Sequence, residues 1–227
     1  MTVTIDGTPL KTKALSFSKG PRGWTAVHFE PSAGAKGAGA EGPAAEAVAT
    51  GHIYVYGTGG SPVPEELRAR REMAERAGDW TGMAGRLAVS FAVKKDRDLA
   101  DPDIEGANLV LFGTKETNSV IARLAQHFPM ELNAGAADYG LVFIAPVGSR
   151  YALVNSGLAW WTGAEQVRRP AFHFMHAPAS VLDTFGDYIL FKGSLENVIA
   201  EGRFDRNWKL PPDAADRMMA TGAVVIK

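Results

Sequence analysis

Three short turns in the sequence combine glycine with hydroxyl or amide side chains, a composition that is typical of anion-binding turns. They read GTGGS from Gly57 to Ser61, GTKETN from Gly113 to Asn118, and NSG from Asn155 to Gly157. Glycine lets a backbone approach a ligand closely, and free N–H groups at the start of a helix attract anions. The turns therefore predict a binding site for a small anion or a sugar. Its expected members are Thr58, Gly59, Gly60, Thr114, Asn118, Asn155 and Ser156.

The same turns have an explanation that needs no ligand. A turn between a strand and a helix often uses glycine because it requires a positive φ angle, and Thr114 or Thr117 can cap the helix that follows. The glycines also miss the nucleotide motifs, since Pro62 stands where G-x-G-x-x-G needs its third glycine and no GK[ST] follows. Dinucleotide and nucleoside triphosphate sites are therefore disfavoured, and we expect no cofactor.

Nucleophilic catalysis lacks its usual motif in this chain. G-x-S-x-G does not occur, so the nucleophile elbow of an α/β-hydrolase is absent from the sequence. Ser156, which precedes Gly157, comes nearest to that elbow but has no glycine two residues upstream. There is no cysteine, which excludes a thiol nucleophile, a disulfide and a thiolate metal site. We therefore assign no catalytic residue.

Histidine is the remaining residue type with obvious chemistry. Two histidines in HFMH are spaced i and i+3, which on a helix places both on one face, as in some metal sites. No acidic third ligand lies at helical spacing, and Pro170 and Pro178 bracket a segment too short for a secure helix. We expect imidazoles satisfied within a loop and no metal. The chain's histidines are His28, His52, His127, His173 and His176.

Paired tryptophans at Trp160 and Trp161 form the most distinctive aromatic feature. Indoles supply a large contact area with one polar group, so such a pair could stack on a sugar or build a homo-oligomer interface. The alternative is that one ring belongs to the core and the other is half exposed.

The elements that position these residues fall into three parts. Residues 1–30 alternate as strands do and predict a small antiparallel β meander. Residues 31–51 are rich in Ala and Gly and predict a flexible connector, in which GPAAEAVA could form one helical turn. Residues 52–227 change to apolar strands that alternate with helices.

Within residues 52–227 we predict strands in HIYVYG, RLAVSFAV, NLVLFG, DYILFKG and VIAEGRF, with two more joined around Gly148. Helices follow the first and third of them, the later one from about Glu116 to His127. Crossovers of ten or more residues imply parallel pairing. We therefore predict an α/β protein: a three-layer α/β/α domain on a mainly parallel, flavodoxin- or Rossmann-like sheet of about five or six strands. Ligands bind such sheets beyond the carboxyl ends of the strands.

Charge and hydropathy narrow the classes of partner. With 24 basic and 25 acidic residues, the chain has no basic excess for a nucleic acid or an anionic membrane. No apolar run approaches the ~20 residues that cross a bilayer, and MTVTIDGTPLKTK lacks the apolar centre of a secretory signal. We expect a soluble chain whose compartment the sequence leaves open.

Four segments occur in order along the chain: EGPAAEAVATGHIYVYGTGG, GANLVLFGTKETNSVIARLAQHFPMEL, YGLVFIAPVGSRYALVNSG and DYILFKGSLENVIAEGRFDRNWKL. Together they span most of residues 41–210 and resemble the C-terminal domain that follows the catalytic domain in certain large bacterial serine hydrolases of the prolyl-oligopeptidase and esterase type. The Ser-His-Asp machinery of such proteins lies in the preceding domain. One departure is that those proteins often have acidic residues after the GP, where Ala44 and Ala45 stand here.

The resemblance implies an accessory α/β module whose partner is a hydrolase domain of the same or another chain. Our leading expectation is therefore a non-catalytic accessory or assembly domain of a serine hydrolase. The alternatives are a small-ligand binding module at the glycine-rich turns and a self-associating domain that uses Trp160 and Trp161.

Overall fold

Two compact units, Met1–Ala35 and Lys36–Lys227, make up the chain. The computed structural model describes residues 2–11, 16–21, 23–27, 35–37, 40–80, 89–164 and 178–227. His28 and the HFMH histidines His173 and His176 lie outside these ranges, as do the first three residues of the predicted strand RLAVSFAV.

The first unit consists of antiparallel hairpins. Asp6 and Gly7 take φ angles of 49° and 77°, as the turn of a tight hairpin requires. The Asp6 carboxylate accepts hydrogen bonds of 3.0 Å from Trp24 Nε1 and from Lys19 Nζ, and these bonds lower its pKa. The sequence predicts one meander here, whereas the described residues pair as β1 with β2 and as β3 with β4. The strands are β1 (Thr2–Ile5), β2 (Thr8–Lys11), β3 (Ser16–Gly20) and β4 (Gly23–Val27).

The second unit alternates helices and strands in its first half. Its helices are α1 (Glu46–Ala49), α2 (Pro64–Gly78), α3 (Asp101–Gly106), α4 (Ser119–Leu124), α5 (Ala179–Leu182) and α6 (Pro212–Ala220). Single 3-10 turns cover Asp96–Asp98 and Ala125–His127. Its strands are β5 (His52–Tyr56), β6 (Val93–Lys95), β7 (Asn108–Phe112), β8 (Met130–Leu132), β9 (Tyr139–Val147), β10 (Arg150–Gly157), β11 (Tyr188–Lys192), β12 (Val198–Gly202) and β13 (Val224–Ile226).

Seven of these strands form one mixed sheet in the order β12-β11-β9-β10-β7-β5-β6. The pairs β6–β5, β5–β7 and β7–β10 are parallel. The pairs β10–β9, β9–β11 and β11–β12 are antiparallel. Strands β8 and β13 pair separately as a small antiparallel sheet. The prediction of a mainly parallel, flavodoxin- or Rossmann-like three-layer sheet of five or six strands was therefore wrong.

Connection length explains that error. Helix α2 lies between β5 and β6 and helix α3 lies between β6 and β7, and these three strands are parallel to one another. Only Gly148 and Ser149 separate β9 from β10, and the short turn from Gly193 to Asn197 separates β11 from β12. Connections of this length join antiparallel neighbours, because a parallel crossover needs a dozen or more residues.

Local predictions were more accurate than the topology. The connector contains the expected helical turn as α1. Residues Val89 to Phe91, expected in a strand, instead bond to the end of α2, through Trp80 N to Val89 O at 2.8 Å and Phe91 N to Gly78 O at 3.0 Å. Strand β6 therefore begins only at Val93.

The core lies along the centre of the sheet, where the four strands β7, β10, β9 and β11 are almost entirely buried. Every residue of β7 is buried, as a strand flanked by β5 and β10 and covered on both faces must be. None of the helices formed by the described residues is long and apolar enough to cross a membrane.

Candidate functional site

The turns that follow β5 and β7 meet at the carboxyl edge of the parallel strands, where the sequence predicts a ligand site. They are in direct backbone contact, because Gly59 N donates to Thr117 O at 2.8 Å. A side chain at Gly57 would overlap the same carbonyl oxygen, so this position needs glycine for the close approach. The backbones of the two turns therefore pack against each other at the position where an open doubly wound sheet has its ligand-binding crevice.

Asp96 is the central residue of this edge, and sequence reasoning missed it. Its carboxylate is 4% exposed and accepts hydrogen bonds from Thr58 N at 3.0 Å, from Thr58 Oγ1 at 2.6 Å and from Ser119 N at 2.7 Å. Ser119 is the first residue of α4, so the carboxylate occupies the N-terminus of that helix. The protein's own anion thus takes a position that a bound anion takes in many α/β proteins.

The charge on Asp96 is held by these donors. Burial alone would raise the pKa of the carboxyl group, but the hydrogen bonds from Ser119 and Thr58 outweigh burial and leave the pKa below its usual value. The one signal in the sequence is position: Asp96 follows β6 directly, at the carboxyl end of a parallel strand.

Thr58 is fully engaged in this network. Its hydroxyl donates to Asp96 and accepts a 2.8 Å hydrogen bond from Arg97 Nε. A second guanidinium, that of Arg70, donates to Gly59 O at 2.9 Å and to Gly57 O at 3.3 Å. The polar groups of the first turn are therefore largely satisfied by the chain itself.

Asn118 caps α4 and also donates hydrogen bonds to backbone carbonyl groups of β5 and β7. Its Oδ1 accepts from Val120 N at 3.0 Å and from Ile121 N at 3.3 Å. Its Nδ2 donates to Phe112 O at 3.0 Å and, more weakly, to Val55 O at 3.4 Å. The prediction that Thr114 or Thr117 caps this helix was wrong, because the helix begins at Ser119 and an amide fits the N-cap position.

Asn155 and Ser156 fix the turn after β10. Ser156 Oγ donates to Gly113 O at 2.7 Å, so its hydroxyl proton points at a carbonyl oxygen of the neighbouring turn. Asn155 Oδ1 accepts from Trp160 N at 2.9 Å, and Asn155 Nδ2 donates to Leu158 O at 3.2 Å. The Ser156 side chain thus joins the turn after β7 to the turn after β10, whereas the Asn155 side chain closes the turn after β10.

A cavity of about 10 Å³ lies beside Thr114 and Ser156, with room for about one water molecule. Thr114 Oγ1 is buried there and has no hydrogen-bond partner among the described residues. Lys115 and Lys227 both pair with Glu131 at this place. Burial would raise the pKa of Glu131, but the two lysines lower it below its usual value.

The described histidines stand apart from these turns. His52 is 6% exposed, its Nδ1 lies 2.7 Å from Thr50 O, and its ring stacks on Phe91 at 4.2 Å. Burial lowers the pKa of His52, so the neutral ring is favoured. His127 is exposed on the 3-10 turn that follows α4. No group of three or more His, Asp or Glu residues that could hold a metal ion occurs within the part of the chain that the structure describes.

The two tryptophans have different environments. Trp160 is fully buried, stacks on Phe112 at 5.4 Å and donates from Nε1 to Pro178 O at 2.8 Å. Trp161 is partly exposed, with the Arg76 guanidinium 5.6 Å from its ring centroid. This arrangement matches the alternative in which one ring belongs to the core, and only Trp161 is available to a partner.

No protein-family model matches the chain, and neither a curated protein nor a solved structure matches it significantly. The structure brings Thr58, Gly59, Gly60, Thr114 and Asn118 together at one edge, with Asn155 and Ser156 beside them. Ligand binding at these residues stays a prediction.

Proposed function

We propose that the chain is a non-catalytic accessory or assembly domain of a serine hydrolase. The observation that supports a non-catalytic role most directly is the bond from Ser156 Oγ to Gly113 O, because a nucleophilic serine needs its hydroxyl proton directed at a base. Neither described histidine is hydrogen-bonded to a serine or threonine hydroxyl. The hydrolase association rests on the ordered resemblance of the four segments.

The closed carboxyl edge also supports an accessory role. The Asp96 carboxylate and the Asn118 side chain accept the backbone N–H groups of Ser119, Val120 and Ile121 at the start of α4. A rigid sheet whose loop groups satisfy one another is suited to present a surface to a partner domain.

The non-catalytic role is tested on the purified chain with p-nitrophenyl esters, aminoacyl anilides and a fluorophosphonate probe. We expect neither turnover nor labelling. Ser149→Ala, at an exposed serine of the β9–β10 turn, is the matched control for Ser156→Ala. Hydrolysis that survives Ser149→Ala and disappears in Ser156→Ala would contradict the proposal.

The partner is tested with the hydrolase that the same reading frame or its immediate neighbours encode, recognised by a G-x-S-x-G elbow. We expect calorimetry to detect one-to-one binding to the separately purified catalytic domain, together with a rise in that domain's melting temperature. The association would be contradicted if the neighbouring catalytic domain did not bind the chain and its own melting temperature did not change when the chain was added.

A small-ligand module is the second candidate, favoured by the Thr114 hydroxyl, which lies beside Lys115 and finds no hydrogen-bond partner in the described part of the chain. The cavity holds about one water, so a ligand would bind at its mouth rather than inside it. A thermal-shift panel of inorganic phosphate, acetate and simple sugars tests this candidate, with Thr114→Val expected to abolish any response. A flat response across the panel excludes it.

A further inference from the structure

A second polar cluster lies at the opposite end of the sheet, around the carboxylate of Asp187. This residue directly precedes β11 and is 0% exposed. Its Oδ2 accepts a hydrogen bond from Phe204 N at 2.8 Å and pairs with the Lys36 ammonium. A carboxylate without solvent needs a cation, since an unpaired buried charge is strongly destabilising. Lys36 supplies that cation from a segment 151 residues earlier in the chain.

Aromatic rings enclose the same ammonium. Lys36 Nζ lies 4.7 Å from the centroid of the Trp208 ring and 5.9 Å from that of Phe204. Tyr151 packs edge-on against Trp208, with centroids 6.2 Å apart, and Tyr188 packs on Phe204 at 5.1 Å. Ring faces together with a carboxylate are the chemistry with which proteins recognise alkylammonium groups.

The turn that carries Trp208 is closed by its own residues, and the backbone N–H of Lys36, which Lys36→Ala retains, also donates to Arg206 O at 2.8 Å. Trp208 has a φ angle of 59°, in the left-handed region that a bulky residue rarely adopts. The turn that imposes it is closed by Asp205, whose Oδ1 accepts from Asn207 N at 2.7 Å and from Lys209 N at 2.9 Å. The host for the ammonium group consists of the Phe204 and Trp208 rings and the Asp187 carboxylate. It belongs to the β11–β12 region and the turn that follows, whereas Lys36 belongs to a segment outside every helix and strand.

One acceptor of the host remains unused. Asp187 Oδ1 is buried and has no hydrogen-bond donor among the described residues, and Arg203 Nη1 lies 3.9 Å from it. It lies against Gly42, where a side chain would overlap it. A primary ammonium has three N–H donors, so this oxygen can accept a second one.

We propose that Asp187, Phe204 and Trp208 form a binding site for a primary alkylammonium ion, and that Lys36 is its tethered resident ligand. The occupied site fastens Lys36, which lies outside every helix and strand, to the amino end of β11. This inference does not depend on the association with a hydrolase.

Lys36→Ala tests the site, because this substitution removes the atoms that n-propylammonium can replace. We expect Lys36→Ala to have a lower melting temperature than the wild type. We also expect n-propylammonium chloride to raise it saturably, with half-saturation on the order of 1–100 mM for so small a ligand. n-Propanol lacks the charge and tetramethylammonium lacks the N–H donors, so neither should act.

Two further variants serve as controls. Lys95→Ala removes an exposed lysine whose nearest acid, Asp98, is 4.0 Å away, and it should not respond to n-propylammonium. Adding Asp187→Asn to Lys36→Ala should abolish the response. No saturable response in Lys36→Ala, or an equal response in Lys95→Ala, overturns the proposal.

A measurement on the intact chain covers the case in which Lys36→Ala does not fold. Lysine ammonium protons observed by ¹H–¹⁵N NMR should include one group that is protected from exchange and shifted by the indole ring current. Trp208→Leu should remove that shift. A wild-type spectrum in which every ammonium group exchanges at the rate of free lysine also overturns the proposal.

Discussion

The Thr58 hydroxyl donates a 2.6 Å hydrogen bond to the buried Asp96 carboxylate and so ties the end of β5 to the turn that follows β6. The same carboxylate accepts Ser119 N at the start of α4, which makes one side chain the junction of three connections. This junction closes the edge at which the parallel strands end.

Asp96→Asn should therefore destabilise the fold. An amide in place of the carboxylate removes the charge and turns one acceptor into a donor that faces other donors, so we expect a loss of ~2–4 kcal/mol in the free energy of unfolding. Urea denaturation measures it. Asp98→Asn, at an exposed residue of the same turn, should change stability by less than about 0.5 kcal/mol. Equal effects of the two substitutions would contradict the assigned role of Asp96.

Gly57→Ala probes the backbone contact between the turns. The added methyl group would overlap the Thr117 carbonyl oxygen, and we expect overpacking of this kind to lower the free energy of unfolding by ~2–3 kcal/mol. Gly106→Ala, at a helix end with nothing within 4 Å of the added carbon, should instead stabilise the chain by ~0.5–1 kcal/mol. Thermal unfolding of both variants compares them, and a neutral Gly57→Ala would mean that the turns are further apart in solution.

His52 should make stability depend on pH. The unfolded chain protonates this residue near its ordinary pKa of 6.5, whereas burial lowers the pKa in the folded chain, against a smaller opposing effect of the Thr50 hydrogen bond. The unfolded state therefore binds more protons as the pH falls below about 6.5, and the free energy of unfolding decreases there by at most ~1.4 kcal/mol per pH unit.

Denaturation curves between pH 7 and pH 5 measure this dependence. His52→Phe preserves the stacking on Phe91 and should flatten the curve, whereas His127→Gln, at an exposed histidine, should not change it. An unchanged slope in His52→Phe would assign the pH dependence to other groups.

The two tryptophans should respond differently to truncation. Trp160→Ala removes a fully buried ring and its bond to Pro178 O, and we expect it to destabilise the fold by ~3–5 kcal/mol. Trp161→Ala removes a partly exposed ring and should have a smaller effect on stability. Sedimentation then tests self-association: a dimer that dissociates in Trp161→Ala supports an interface there, and a wild-type monomer at high concentration excludes one.

Features set by residues close together in the sequence could be predicted, whereas features set by residues far apart in the sequence could not. A continuous apolar run such as Asn108–Phe112 predicts a buried strand, because the residue types of the segment alone indicate that it is buried. The pairings of β9, β11 and β12 were predicted wrongly, because these strands are joined or flanked by short turns rather than by the crossovers that precede β7. Asp96 could not be assigned, because its partners Thr58 and Ser119 are distant in sequence and a single aspartate after a strand is a weak signal.

The β9–β10 turn also bears on the order of folding events. Strands separated by two residues pair with a small loss of chain entropy, whereas β10 reaches its other neighbour, β7, only by enclosing about forty intervening residues. We therefore expect the β9–β10 hairpin to form early and to serve as the template on which β7 and then β5 assemble. In that sequence of events the local hairpin nucleates the sheet, and the closed edge around Asp96 forms last.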